Sequence, residues 1–192
     1  MEEKMKNGKS STGMKAQLTL AVLAAILVAI SMSLPARAEQ PAPQAITETT
    51  PCAVCAMYPF RYPAWQSQVI FTDNSMAAFD GCKCMFRFLL NMPAFTQDHK
   101  ADQVAAVWVK DFAAGDWIDG KTAYYVIGST ELGPMGKELI PFATQAAAEA
   151  FQKTKGGTVA PYANITMDTV KPLMGGMHHM QMQHGDKPHP MP

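Results

Sequence analysis

Sulfur is the chemistry this sequence offers. Four cysteines lie between Cys52 and Cys84, and the last 19 residues interleave Met with His. Cys52-Ala53-Val54-Cys55-Ala56-Met57 sets two thiols within reach of one ion. Met57, two residues past Cys55, points the same way if the segment is extended. Two thiolates and a thioether make a soft, low-coordinate donor set. It suits Cu(I) better than Zn(II), which takes four ligands in a closed tetrahedron.

The tail carries Met174, Met177, Met180, Met182 and Met191 with His178, His179, His184 and His189. Thioether is an uncharged soft ligand for Cu(I), and imidazole serves Cu(I) and Cu(II) alike. Imidazoles alone would equally take nickel or zinc; the thioethers select copper. A purification tag has no reason to interleave Met, and a Met-rich contact helix would show a helical spacing that the tail lacks. Metal capture is therefore expected of Met177, His178, His179, Met180, Met182 and His184.

Gly81-Cys82-Lys83-Cys84-Met85 holds the other two thiols. A helix opening near Gly81 puts Cys82 in its first turn, where free amides and the dipole lower a thiol's pKa. Cys82 is thus the candidate ligand here. Cys84 stands about 200° further round the helix, so the two need not face one ion, and a disulfide or simple burial is the plainer reading of both. Two other uses of these cysteines stay open: two disulfides, as an oxidising compartment favours, or a four-thiolate zinc site. C-x-x-C is also the motif of thiol–disulfide exchangers, although Tyr58-Pro59-Phe60 follows at once and no thioredoxin-like β-α-β unit is visible. There is no nucleophile–base arrangement, phosphate loop or carboxylate pair spaced for acid–base work. His99 reads as a solvated loop residue.

The elements that must position these residues lie between 52 and 173. Val69–Thr72, a polar turn at Asp73-Asn74-Ser75, and Met76–Phe79 read as a β-hairpin. Asp80-Gly81 opens a helix of about ten residues that stops before Pro93. Val104–Val109 and Ala123–Ile127 read as strands around an Asp-rich turn. Thr144 caps a helix over Gln145–Thr154, Gly156-Gly157 ends it, and Val159–Pro161 adds an edge strand. This order predicts an α+β domain: a small, mostly antiparallel sheet with helices packed on one face.

Outside that domain, Lys4, Lys6, Lys9 and Lys15 precede a 13-residue apolar run, Leu18–Ile30, and then Ala36-Arg37-Ala38. This is the layout of a Sec-type signal cut after residue 38, and the run is short for a membrane span. An uncleaved inner-membrane anchor is the alternative. The expected product is periplasmic, with no stable membrane insertion after cleavage. Loss of residues 1–38 removes five basic and two acidic residues, taking the net charge from 0 to −3. No basic patch remains to follow a phosphate backbone, so nucleic acid is not an expected partner. Residues 39–51 are read as a flexible lead-in, and 174–192 as a disordered tail, because neither has an apolar face to bury.

Six short segments, in order, carry a likeness: Cys52-Ala53-Val54-Cys55-Ala56-Met57, Ala78-Phe79-Asp80-Gly81-Cys82, Trp108-Val109-Lys110-Asp111-Phe112, Gly115-Asp116-Trp117-Ile118-Asp119, Ala123-Tyr124-Tyr125-Val126 and Gly133-Pro134-Met135-Gly136. Together they resemble the NosL family, the nitrous-oxide-reductase accessory proteins known as periplasmic copper chaperones. The resemblance implies a fold distantly related to organomercurial lyase. It also implies Cu(I) binding for delivery to a client copper enzyme or copper transporter. The family's C-G-M copper motif falls on Cys55-Ala56-Met57, and its P-M-G motif adds Met135 to the candidate ligands Cys52, Cys55 and Met57. Ala56 replaces the usual Gly, the common lipoprotein Cys is missing, and Cys84 and the Met/His tail are additions. The expected function is a copper carrier and not an enzyme. The competing readings are a thiol–disulfide oxidoreductase using Cys52 and Cys55, and a structural domain held by disulfides or zinc.

Overall fold

The computed structural model of the protein describes residues 40–175. The expected signal segment and the tail ligands Met177, His178, His179, Met180, Met182 and His184 lie outside the described residues.

The fold is α+β, as expected, but its strands form two antiparallel sheets where one was predicted. The first has the order β2-β1-β3-β4, from β1 (Ser67–Phe71), β2 (Met76–Phe79), β3 (Val104–Lys110) and β4 (Trp117–Asp119). The second has the order β6-β5-β7, from β5 (Tyr124–Gly133), β6 (Gly136–Phe142) and β7 (Thr158–Pro161). Helix α1 (Cys82–Leu90) follows β2, α2 (Gln145–Lys155) follows β6, and a single turn, α3 (Met167–Val170), closes the described chain with the 3-10 segment Lys171–Met174.

Strand β6 was not foreseen. Gly133, Pro134 and Gly136 are turn-forming residues, and Pro141 has no amide to donate within a central strand. Pro141 is tolerated because β6 is the edge of its sheet, as Pro161 is on β7. Gly133 pairs with Gly136, so Pro134 and Met135 are the two residues at the tip of the β5–β6 hairpin. Gly136, the residue after the tip, takes φ +83°, the left-handed position that follows a turn whose own two residues keep negative φ.

Alternation along β5 and β6 divides the core. Tyr125 and Leu139 face the main core, with α1 and with Val69, Phe71, Val107 and Val109 of the first sheet. Val126, Ile140 and Phe142 face the opposite way, onto Ala148 of α2. Each such side chain, fully buried, stabilises by roughly 1.5–3 kcal/mol. Helix α2 begins as expected, with Thr144 Oγ1 accepting from the Ala147 amide at 3.2 Å, and ends at Gly156 with φ +70°.

Two expectations about loose segments are corrected. The lead-in is held from Gln40 onward. Pro41 O accepts from Trp108 Nε1 at 2.8 Å, and Gln44 and Gln68 exchange two bonds at 2.9 and 3.2 Å. His99 is also anchored. It stacks on Phe71 at 3.9 Å, and its Nε2 meets Asp73 Oδ2 at 3.0 Å and Ser75 Oγ at 2.9 Å. Both partners use the same ring nitrogen, so this is a brace for the β1–β2 turn and not a proton relay.

Candidate metal centre

Cys52-Ala53-Val54-Cys55 folds into one tight turn. The Ala56 amide donates to Cys52 O at 3.1 Å, and the Cys52 amide donates to Met57 O at 2.6 Å. Closing it puts Ala56 at φ +62°, in the left-handed region that Gly occupies without cost. The segment is therefore not extended, and the alternation that was to aim Met57 beside Cys55 does not apply. Met57 supplies backbone: its carbonyl closes the turn and its amide faces the Cys55 sulfur. The whole turn is pinned to the end of β2, where Cys52 bridges to Ala78 and the Ala53 amide donates to Ala78 O at 3.0 Å.

That anchor brings the turn to Asp80 and to the first turn of α1. The ligand atoms of Cys52, Cys55, Asp80 and Cys84 all lie within 4.8 Å of one another. Three thiolates round one ion at about 2.3 Å would stand about 4.0 Å apart, so the cluster needs only a small contraction to close on a metal. Met135, at the hairpin tip, brings its Sδ to 4.0 Å from Cys84 Sγ. Cys52 and Cys84 are buried, Cys55 is half-buried and Ala56 is exposed, so the cluster opens to solvent on the Cys55 side.

The expectation for α1 is reversed. Cys84 faces the cluster, and Cys82 does not. Cys82 is fully buried, its thiol raised by that burial and by the Glu138 charge, with Ser67 beside it. The 200° separation of the two side chains was legible. The rotation of the helix that decides which of them meets the turn was not. A two-disulfide or four-thiolate arrangement would need Cys82 at the cluster, and the fold turns it away; all four cysteines are free thiols. Asp80 was also missed as a possible ligand, because a carboxylate before a helix reads as part of its start. Its burial at 1% exposure marks it as more than a cap.

The three thiols act as one electrostatic unit. Hydrogen bonds from Cys55 and then Cys84 hold Cys52 far below the usual thiol range, helped by turn amides of Cys55 and Val54. The Cys55 proton is engaged by Cys52, which pushes its pKa up to about 12. Cys84 is raised by its bonds to Cys52 and Cys55 and by burial. The shared hydrogen bonds thus favour the thiolate at Cys52 and the thiol at Cys55 and Cys84. Asp80 is raised to about 6 by burial, with the Cys52 charge next, and its Oδ1 accepts from Cys55 Sγ at 3.3 Å. The donor set is soft at one end, where Cys84 meets Met135, and harder at the other, where Cys55 meets Asp80.

Comparison with known proteins turns on the same stretch. The family model described as NosL matches residues 43–170, which contain every residue of this cluster. The chain belongs to the NosL family. It is 28% identical over 167 residues to the copper-binding lipoprotein NosL of Achromobacter cycloclastes, covering 80% of this chain and 82% of that protein. It is 29% identical over 143 residues to the copper-binding lipoprotein NosL of Stutzerimonas stutzeri, covering 71% and 74%. The crystal structure of the copper chaperone NosL from Shewanella denitrificans superposes with a TM-score of 0.58 at 26% identity, covering 66% of this chain and 97% of that one. Set against the family's C-G-M motif, Ala56 keeps the turn's positive φ without the residue best suited to it. Among the described residues no helix is long and apolar enough to cross a membrane.

Proposed function

We propose that this protein is an exported Cu(I) carrier whose core site is the cluster of Cys52, Cys55 and Cys84, with Met135 as thioether ligand and Met57 at its rim. The convergence of three thiols within 4.8 Å of one another supports this reading most directly. Three sulfurs with a thioether beside them fit a soft monovalent ion of low coordination number. Cu(I) is here the cargo. It enters on the exposed Cys55 side and leaves the same way, a soft ligand of the client binding as Cys55 lets go. Such stepwise exchange needs no acid–base residue. The client is a copper enzyme, nitrous-oxide reductase among them, or a copper transporter, met in the periplasm after removal of residues 1–38.

Thiol–disulfide exchange is the weaker reading. The cysteine whose thiolate is favoured, Cys52, is 3% exposed, which shields it from attack on an external disulfide. Asp80 is the one hard donor in the cluster and would favour Zn(II) over Cu(I) only if it displaced the thioether.

The tail adds capacity. It follows Leu173, whose carbonyl is 3.3 Å from Lys83 Nζ, itself 2.7 Å from Met135 O, so the tail is rooted beside the cluster. Its Met and His residues would gather ions and pass them to the core. The test is an anaerobic Cu(I) titration of the full chain and of a chain ending at Gly175. The shortened protein is expected to bind fewer ions yet keep one tightly held Cu(I). Complete loss of Cu(I) binding on shortening would place the main site in the tail and overturn the reading.

A further inference from the structure

Lys83 is the residue between the two cysteines of α1, and its side chain goes to neither. It is 1% exposed, an unusual place for lysine. Nζ donates to Met135 O at 2.7 Å, to Lys137 O at 2.8 Å and to Leu173 O at 3.3 Å, which uses all three of its donors. All three acceptors are backbone carbonyls. Two flank the turn into β6, and the third is at the root of the tail. From the other side, both Glu138 oxygens accept from the Lys83 amide, at 3.1 and 2.9 Å. Glu138 thereby caps α1 from β6, which has no side-chain cap of its own. Its approach is close: a Cβ at Gly81 would stand 2.6 Å from Glu138 Oε2, so any larger residue there would push the carboxylate off the Lys83 amide.

We infer that Lys83 is a positioning residue for the thioether ligand: it ties the β5–β6 hairpin tip to the helix that carries Cys84, and so fixes Met135 Sδ at the thiol cluster. The argument rests on the Cu(I) reading above. Met135 occupies a two-residue hairpin tip; its side chain packs against the edge of the main core, while its backbone has beyond its own strands the bond from Lys83. Met side chains are flexible, and a thioether forms a weak metal bond that an ill-placed backbone would forfeit. Lys83 removes that freedom by bonding the carbonyl of Met135 itself and that of Lys137 two residues on. Its neighbour Cys84 is then carried on the same turn of helix, so thiolate and thioether share one rigid support. Partners of this kind, one step removed from the metal, typically change affinity by about 10–100-fold when lost.

The experiment is a double-mutant cycle in the full chain with Lys83→Met, Met135→Leu and the pair, measured by competition against a Cu(I) chelator and separately against a Zn(II) chelator. Lys83→Met is expected to weaken Cu(I) about 10–100-fold. Zn(II) affinity, which relies on the thiolates and Asp80, should stay within about threefold. In the Met135→Leu background the Lys83 substitution should add nothing, because the ligand it places is gone. X-ray absorption at the copper edge should show one sulfur fewer in both single variants than in the parent. An undiminished Lys83→Met effect in the Met135→Leu background would overturn the inference, as would equal losses for both metals or no loss at all. Should Lys83→Met not fold, Lys83→Gln keeps two donors and must show the same dependence on Met135; independence from Met135 there refutes the inference equally. Cys55→Ser separates the two levels. Parental Cu(I) affinity in that variant defeats the copper reading itself, whereas loss there with none in Lys83→Met defeats only the role given to Lys83.

Discussion

Cys82→Ser and Cys84→Ser form a matched pair: the same atom change, on the same turn of one helix, two residues apart. The fold places only Cys84 in the cluster with Cys52, Cys55 and Asp80. Replacing its sulfur removes one of three thiolates and leaves a hydroxyl that stays protonated near neutral pH. Loss of a partner merely supporting a metal ligand costs up to about 100-fold, so loss of the ligand itself should exceed that, or more than about 2.7 kcal/mol of binding. Cys82→Ser should leave Cu(I) affinity within about threefold. Stability should show the opposite order. Cys82 is 2% exposed, packed in the main core with Ser67 and Glu138 beside it, and a hydroxyl that bonds neither of them costs about 1–3 kcal/mol there. That corresponds to a fall of roughly 2–4 °C in Tm per kcal/mol in a chain of this size. A serine at position 84 sits beside Asp80 and two thiols that can bond it, so its cost to the copper-free protein should be smaller. The assay is anaerobic competition with a chromophoric Cu(I) chelator, paired with thermal melts of the metal-free proteins. Full affinity in Cys84→Ser together with loss in Cys82→Ser would refute the placement of the site, and with it the rotation of α1.

Ala56→Gly should stabilise the protein modestly. Relief of a left-handed Ala is worth about 1–2 kcal/mol and the added freedom of the unfolded chain takes back about 0.4–1, leaving roughly 0–1.6 kcal/mol, centred on about 0.8, at an exposed position with no packing to lose. A lower Tm in the Gly variant would contradict the strain assigned to this turn. Glu138 predicts a pH dependence: burial raises its pKa from 4.5 to about 8, so the native state keeps a proton that the unfolded chain releases. Stability should therefore fall as pH rises between those values, by up to a few kcal/mol, with the loss complete above the folded pKa. Asp80, raised to about 6, contributes in the same direction over a narrower window, so the comparison is made with Glu138→Gln, in which the slope should flatten. Denaturant midpoints of the two proteins between pH 5 and 9 give the answer, and identical slopes would show that Glu138 is not buried as a protonated acid.

What the sequence by itself determined is local. The β1–β2 hairpin, the two main helices, the Thr144 cap, the Gly156 stop and the edge position of β7 follow from period and turn chemistry, which act within a few residues. The soft character of the donors was legible too, because it is a property of side-chain type. Tertiary structure decided which donors meet. Helix α1 buries Cys82, Lys83, Cys84, Met85, Phe86 and Phe88, nearly its whole circumference. A helix apolar on one side announces its rotation, and one buried all round does not, so nothing local chose Cys84 over Cys82. Strand β6 hid behind Gly and Pro whose cost vanishes at a sheet edge, and with it went the hairpin tip that carries Met135 and the carbonyls held by Lys83. Asp80 became part of the cluster only because Cys52 bridges to Ala78, 26 residues along the chain, a pairing fixed by the packing of the turn on the first sheet. Residue types set what chemistry is available; long-range packing, which sequence periodicity does not encode, set where it converges.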